Sequence, residues 1–362
     1  MICGIGTNPP LKENEFSIEG YDGSVYVSFS GGKDSTVLAD LCARVCKDYG
    51  WTLYLLFANT GLEYPEIQKF TKFFAEWLRS KYDIEVVLDV VRPEVRFDQV
   101  VKKHGYPVIS KEVSNTIDGA KNSIKKGVYS HRLCKLGVKR DEYGGLYDSG
   151  KYDYDGSLDK SKFRQPKWRF LLDAPFECSS YCCDVMKKKP AALYERRTGR
   201  KPIIATLAAE STNRENAWRK NGCNAFGAKS PKSTPMAFWT EQDVLHYIKK
   251  YDVPYCSVYG DIQIKPHGED YLDGQINAID YLGCYEPEDT LATTGCSRTG
   301  CIFCCFGIMQ DGTPNRFQRL KETHPRQYEY CINGGEMVDG KWQPNKEGLG
   351  LGHVLDYIGV KY

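Results

Sequence analysis

Histidine is scarce in this chain, six residues scattered over 362, and none stands beside a partner that would make a metal site or a general base. No run is apolar enough, over enough residues, to cross a bilayer. The opening stretch from Met1 to Pro10 lacks the charged-then-apolar order of a secretory signal, so a cytoplasmic location with no membrane partner is expected. Charge of one sign is missing too: the net is only +2. There is no internal repeat and no low-complexity tract. A Walker-type loop, with four residues between Gly and Gly-Lys, is also absent. Cysteine, in contrast, is abundant. Fifteen of them in a chain of this length point to metal or redox chemistry, because disulfide scaffolds belong to short secreted chains. With 41% hydrophobic and 27% charged residues, the composition is that of a globular protein of one large or two modest domains.

The densest signal is Ser30-Gly31-Gly32-Lys33-Asp34-Ser35. It follows the apolar run Val25-Tyr26-Val27-Ser28-Phe29 and precedes a helix-forming stretch from Thr36 to Val45. Strand, glycine turn and helix in that order make an anion pocket from backbone. The glycines allow a tight turn with bare N–H groups, and the helix start adds its positive end. Lys33 supplies a charge, and Ser30 and Ser35 supply hydroxyls. A capped turn is the bland alternative.

Strands are expected at Ser24–Phe29, Thr52–Ala58, Ile84–Val91 and Pro202–Leu207. Helices are expected at Asp34–Lys47 and Glu66–Tyr82, the latter with Pro65 at its start. Ile67, Phe70, Phe73, Phe74, Trp77 and Leu78 are expected on its inner face. Thr240–Tyr251 reads as a helix with Thr240 as cap and Asp243 three residues on. Strand–helix alternation predicts a parallel sheet, with ligands beyond the carboxyl ends of its strands. The loops Ser30–Asp34 and Asn59-Thr60-Gly61 are therefore expected to face one site. Residues 143–167 read as a long loop or insertion, and the last hundred residues are rich in Gly, Cys and Tyr.

Charge is uneven along the chain. Ten Lys/Arg against two Asp/Glu give the span 102–140 a net +8, while 261–289 carries −7. A basic run near a phosphate pocket can steer a polyanion, and a solvated face is the plain alternative. Among the cysteines, Cys182-Cys183 is an adjacent pair and Cys301-Ile302-Phe303-Cys304 is a C-x-x-C, flanked by Cys296 and Cys305. Four thiolates can carry a [4Fe–4S] cluster or zinc. The plain alternative is a set of buried thiols. Cys42 and Cys46 have that core-like spacing.

Taken together, these blocks resemble the phosphoadenosine phosphosulfate (PAPS) reductase-like branch of the adenine nucleotide α-hydrolase, or PP-loop ATP pyrophosphatase, superfamily. Ser30–Ser35 is similar to its S-G-G-K-D-S loop, and Phe57–Gly61 to its strand ending in N-T-G. Cys182-Cys183 with Lys187–Pro190 is similar to its C-C-x-x-x-K-x-x-P block, and Glu210–Arg214 to its E-S-x-x-R. Pro235–Ile248 resembles P-x-x-x-W-T-x-x-D-V-x-x-Y-I, and Gly300–Cys304 the G-C-x-x-C of iron–sulfur members. Three departures point from PAPS toward ATP. The tail around Cys331 lacks the E-C-G-[IL]-H motif of sulfonucleotide reductases. The phosphate loop is complete. Ala205-Thr206-Leu207 stands where G-x-R is usual, losing an arginine fork.

The resemblance implies an α/β fold, a doubly wound, mostly parallel Rossmann-like (HUP/PP-loop) sheet with a Cys-rich C-terminal extension. Its implied domains are 1–255, binding adenine nucleotide, and 256–362, completing a cluster site. Lys33, Asp34, Ser35 and Arg214 are the expected catalytic residues. Ser28, Ser30, Gly31, Gly32, Asn59, Thr60, Gly61 and Glu210 are expected, with Lys33, Asp34 and Ser35, around the nucleotide. Cys182, Cys183, Cys301 and Cys304 are the expected metal ligands, with Cys296 or Cys305 as alternatives to Cys183. ATP, Mg²⁺ on Asp34 and a [4Fe–4S] cluster are the implied cofactors, zinc being the lesser alternative. Iron–sulfur members with a complete loop include DNA phosphorothioation proteins, and related enzymes thiolate tRNA. The implied activity is ATP-dependent sulfur transfer to a nucleic acid or small acceptor. A sulfur donor protein would serve it, and segments 102–140 and 187–201 would meet nucleic acid. The alternatives are a PAPS or adenosine phosphosulfate reductase using Cys331 or another thiol, and a nucleotide-binding regulator without turnover.

Overall fold

The computed structural model describes residues 24–139, 146–147, 165–227, 230–264 and 290–362. The chain forms two compact units, 1–92 with 190–300 and 93–189 with 301–362. Each is built from two separate stretches of the chain.

The first unit is a mixed α/β, Rossmann-like layer structure. Strand β1 (Val25–Ser28) leads to helix α1 (Lys33–Tyr49), β2 (Leu53–Ala58), α2 (Pro65–Tyr82) and β3 (Val86–Val91). After the second unit's first stretch come α3 (Lys189–Thr198), β4 (Lys201–Ile203), α4 (Thr212–Asn221) and α5 (Glu241–Tyr251). The sheet has the order β3-β2-β1-β4 and every pairing is parallel. Tyr26 and Leu56 lie on one face under Tyr194 of α3, with the Tyr26 and Tyr194 rings edge-on at 5.1 Å. Because side chains alternate across a strand, Val27 and Leu55, paired in register, point to the opposite face. On that side Phe29, just past the strand, stacks on Phe74 of α2 at 5.6 Å. Helices cover both faces, as a doubly wound sheet requires.

Helix α1 ends at Gly50, whose left-handed backbone (φ 67°) returns its N–H to the Cys46 and Lys47 carbonyls. Cys42 and Cys46 are buried in the core. Asp40, fully buried, accepts hydrogen bonds from Tyr82 Oη and Tyr247 Oη, both at 2.7 Å, and from Arg44 Nε at 3.2 Å. That knot ties α1, α2 and α5 together, and a buried carboxylate requires such a set of donors. The expected capping box is present: Thr240 Oγ1 accepts from the Asp243 N–H at 3.2 Å, and Asp243 accepts from the Thr240 N–H at 2.6 Å.

Two local expectations need correction. Phe73 is 55% exposed; the buried stripe of α2 runs through Ile67, Phe70, Thr71, Phe74 and Leu78, leaving Phe73 at its edge. The strand expected over 202–207 stops at Ile203, because the next N–H, from Ile204, donates to Ser233 instead of a sheet neighbour.

The second unit is mostly helical: Phe97–His104, Lys111–Lys125, His131–Lys135, Arg316–Thr323, Pro325–Ile332 and Leu351–Tyr357, with a hairpin of Glu336–Val338 and Lys341–Gln343. Tyr106 sits in its core, edge-on to Phe176 at 6.0 Å, and donates to the Leu349 carbonyl at 2.7 Å. Gly105 (φ 99°) admits no side chain there, since a Cβ would stand 2.3 Å from the Glu177 carbonyl oxygen. Of the insertion expected at 143–167, Leu146–Tyr147 pairs with Val128–Tyr129 and Pro166 opens a 3-10 helix to Asp173; the rest lies outside the described residues.

Candidate functional site

The phosphate-loop residues occupy the turn between β1 and α1. Gly31 takes a left-handed conformation (φ 72°), where a Cβ would also meet Ile67 Cγ2 at 2.9 Å, so only glycine suits it. Gly32 precedes the first residue of α1 in extended conformation. A Cβ on it would meet Thr299 Oγ1 at 3.0 Å and Tyr259 Oη at 3.2 Å. Ser30 and Ser35 brace the turn rather than standing free. Ser35 Oγ accepts from the Ser30 N–H at 3.2 Å and lies 3.0 Å from Ser30 Oγ, and it donates to the Gly32 carbonyl at 2.9 Å. Ser28 ends β1 beside the loop.

Lys33 is 5% exposed. Its Nζ donates to the Ser297 carbonyl at 2.7 Å and pairs with Glu241 at 2.8 Å. Its backbone N–H donates to Tyr259 Oη at 3.1 Å, and Tyr259 Oη lies 2.7 Å from Thr299 Oγ1. Asp34 does not cap the helix, since no side-chain bond closes that end. Its Oδ1 is buried with no hydrogen-bond partner. Burial pushes the Asp34 carboxyl above its usual range. Lys33 opposes that shift, Glu241 adds to it, and the Arg298 and Arg214 charges pull the other way. Glu210 pairs with Arg214, one turn on, and its other oxygen accepts from Arg298 Nη2 at 2.7 Å. The 205–207 segment offers no arginine, and Leu207 there is buried; Arg298 brings a second guanidinium to Glu210 from elsewhere in the chain.

Beyond β2, Asn59 Oδ1 accepts from the Gly61 N–H at 3.1 Å, and Thr60 is held by Glu63 through its N–H at 3.0 Å and its hydroxyl at 2.7 Å. A Cβ on Gly61 would meet nothing within 4 Å, so this turn presents open backbone. Sequence reasoning missed Glu241, Tyr259, Ser297, Arg298 and Thr299. The one available signal was the polar run between Cys296 and Cys301.

In the second unit Cys182 and Cys183 close a short helix, Tyr181–Cys183, that passes into a π-turn, Asp184–Lys188; such turns often mark functional positions. The Cys301–Cys304 turn closes through the Cys304 N–H on the Cys301 carbonyl at 3.0 Å. Arg316 fastens it, donating to the Cys304 and Phe306 carbonyls at 3.1 and 3.0 Å while paired with Asp311. Cys182 is pushed up by its hydrogen bond with Cys183, by burial, and by the charges of Cys183, Cys304 and Cys301. Cys183 is lowered by the same hydrogen bond and by Lys111 and Lys187. Burial raises Cys304 to about 11. The four expected ligands therefore sense one another, yet among the described residues no three His, Cys, Asp or Glu side chains converge as a metal-binding group. Of the alternatives, Cys305 is fully buried, and Cys296 belongs to the first unit, its Sγ 3.8 Å from Tyr64 Oη.

Many cations of the basic run are occupied internally. Lys121 donates to the Ala174 and Phe176 carbonyls at 3.2 and 2.8 Å, Lys125 pairs with Glu177 at 3.2 Å, and Arg132 donates to the Asn115 carbonyl at 2.7 Å. In the second basic segment Lys188 pairs with Asp184 at 2.7 Å and Lys189 with Glu94. Arg140 and most of the acidic span lie outside the described residues.

No helix among the described residues is long and apolar enough to cross a membrane. Residues 24–138 and 157–305 match the profile of the family described as "Phosphoadenosine phosphosulfate reductase domain". Among solved structures the chain is similar to a phosphoadenylyl-sulfate (PAPS) reductase from Candida auris in a phosphate complex. The identity is 13%, covering 67% of this chain and 80% of that one, at a TM-score of 0.34. Comparison with curated proteins finds no match.

Proposed function

The chain belongs to the phosphoadenosine phosphosulfate reductase domain family, whose members are nucleotide-using enzymes, and from that premise we propose an ATP pyrophosphatase of its iron–sulfur branch that drives sulfur transfer. The observation that carries this reading is the complete phosphate loop with Lys33 buried at its head, its Nζ 2.8 Å from a carboxylate that a phosphate can replace. In the reaction, an acceptor oxygen attacks the α phosphorus of ATP. The bond from that phosphorus to the bridging oxygen breaks, and pyrophosphate leaves with the electron pair. A reduced sulfur donor then attacks the atom bearing the adenylated oxygen, and AMP departs with the pair of the broken bond.

This chain's part is electrostatic. Loop N–H groups and Lys33 meet the charge that develops on the departing pyrophosphate. Asn59 and Gly61 border the adenosine. The orphaned Asp34 oxygen fits a hard cation, and Mg²⁺ there would neutralise phosphate charge. Cys182, Cys183, Cys301 and Cys304 would hold the [4Fe–4S] cluster, and with only three of these thiolates as ligands the remaining iron would be open to sulfide. Segments 102–140 and 187–201 would each offer positive charge to a nucleic acid acceptor.

A reductase is the second reading, favoured by the family's own description and by the two arginines at Glu210, which suit sulfate as well as phosphate. Against it, Cys331 is fully buried and its thiol is pushed well up by burial, far from the exposed thiolate such chemistry uses. The deciding experiment follows pyrophosphate and sulfite release by protein purified without oxygen. Pyrophosphate release from Mg-ATP that falls at least ~100-fold in Lys33→Ala is expected. Thiol-dependent sulfite release from an adenylyl sulfate would favour the reductase, and tight nucleotide binding without either product would favour a regulator.

A further inference from the structure

Arg298 and Arg214 share one carboxylate. Glu210 Oε1 accepts from Arg298 Nη2 at 2.7 Å, and Glu210 Oε2 pairs with Arg214. The carboxylate is only 18% exposed, while the guanidinium-bearing side chains are 65% and 44% exposed. A held anion thus presents two open cations. The trio has a net charge of one positive, and each guanidinium has five N–H donors in a planar fork. Ten N–H donors face the roughly four lone-pair sites of one carboxylate, so Glu210 cannot satisfy them all.

Stability does not account for this arrangement, since exposed ion pairs contribute little and a second arginine on the same carboxylate costs mutual repulsion. Burial and the neighbouring Arg298 charge lower Arg214, whereas Asp34 raises it. The Ser297 carbonyl accepts from Lys33 Nζ at 2.7 Å and Thr299 Oγ1 would stand 3.0 Å from a Cβ on Gly32, so Arg298, the residue between them, is carried on a segment that lies against the head of the loop. An anion accepted between the two arginines relieves the repulsion and adds charge-assisted, fork-shaped hydrogen bonds.

The geometry points to Arg298 as a specificity-determining residue that, with Arg214, receives the terminal phosphoryl or sulfuryl oxyanion of an adenosine nucleotide. The inference rests on the nucleotide reading above and adds to it a residue from outside the recognised loop. Its prediction is selective: Arg298 matters for nucleotides that carry an anion beyond the α phosphate and not for AMP.

Calorimetric titration of the full-length protein, wild type, Arg298→Ala and Arg298→Lys, tests it with ATP, adenosine 5′-phosphosulfate, AMP and inorganic pyrophosphate. In Arg298→Ala, affinity for ATP and pyrophosphate is expected to fall about 10- to 100-fold, with AMP affinity unchanged. Arg298→Lys keeps the charge but not the fork, so it should recover only part of the loss. A larger loss for the phosphosulfate than for ATP identifies sulfate as the anion; the reverse identifies phosphate. Equal losses for ATP and AMP, or none, overturn the inference while leaving the nucleotide reading intact. If wild type binds pyrophosphate through Arg298 but no adenine nucleotide, the nucleotide reading fails and the anion site stands. Failure of wild type to bind pyrophosphate or any nucleotide overturns both.

Discussion

The phosphate loop and the cysteine region solve opposite electrostatic problems. In the loop, six consecutive residues fix the geometry through their own backbone and hydroxyls, and the charge of Lys33 is already balanced by Glu241 at 2.8 Å. The cysteines come from two stretches more than a hundred residues apart, and their proton affinities diverge. Cys182 and Cys304 are raised while Cys183 is lowered, with Lys111 and Lys187 acting on Cys183 and Arg316 on Cys304. A preorganised site presents its final geometry before the ligand arrives. A set of unevenly charged thiols is completed only when a cation neutralises it. One region is set in advance, and the other would be completed by the metal proposed for it.

That contrast breaks most visibly at the cysteines. Cys301→Ala in protein purified without oxygen is expected to abolish absorbance near ~400 nm, the signature of a thiolate-bound cluster, and Cys183→Ala to do the same. Full retention in Cys183→Ala removes that residue from the ligands; retention in both removes both assigned ligands, and no such absorbance in wild type removes the cluster from the proposal. At the loop the expected effects are smaller. Glu241→Gln frees Lys33 without disturbing the turn, so ATP affinity should rise by about fivefold, the scale of an ion pair with one half-exposed partner. Unchanged or weakened affinity would mean that Glu241 is not a placeholder for phosphate.

Asp34→Asn is the mildest change, and its sign follows from burial. The folded carboxyl titrates above its unfolded value, so the stability it contributes is present below the unfolded value and is lost as pH rises through the folded one. At pH ~7 the carboxylate therefore burdens the nucleotide-free fold. Asp34→Asn should raise Tm there, the difference closing as pH falls through the folded value, while Mg-ATP turnover drops. A lower Tm at neutral pH would show that Asp34 is already satisfied.

The parts legible in the sequence were those whose causes are local. Ser30–Ser35 declared itself because strand, glycines and helix start are contiguous, and Thr240 because a capping box spans four residues. Phe73 misled because an aromatic at a stripe's edge has the same spacing as one in its middle, and Thr71 took the buried place. Pro202–Leu207 looked like a continuous strand, but Ile204 bonds to Ser233, a partner that no local pattern reveals. Ser297, Tyr259 and Thr299 reach the loop from over two hundred residues away, so their role is a property of the fold. The cysteines were legible as residue types; which of them share charge was not.

The interleaving of the two units has a consequence in time. Strand β4 joins the sheet beside β1 only after the roughly hundred residues that follow β3 have been made. At about 5–20 residues per second of synthesis, the half-built sheet keeps an unpaired edge for several seconds or more while a different unit emerges behind it. A strand edge left open is a template for pairing with another chain. Slow or crowded synthesis therefore exposes this protein to aggregation during translation more than its finished fold would suggest, and a bound chaperone or a lowered growth temperature should raise the soluble yield.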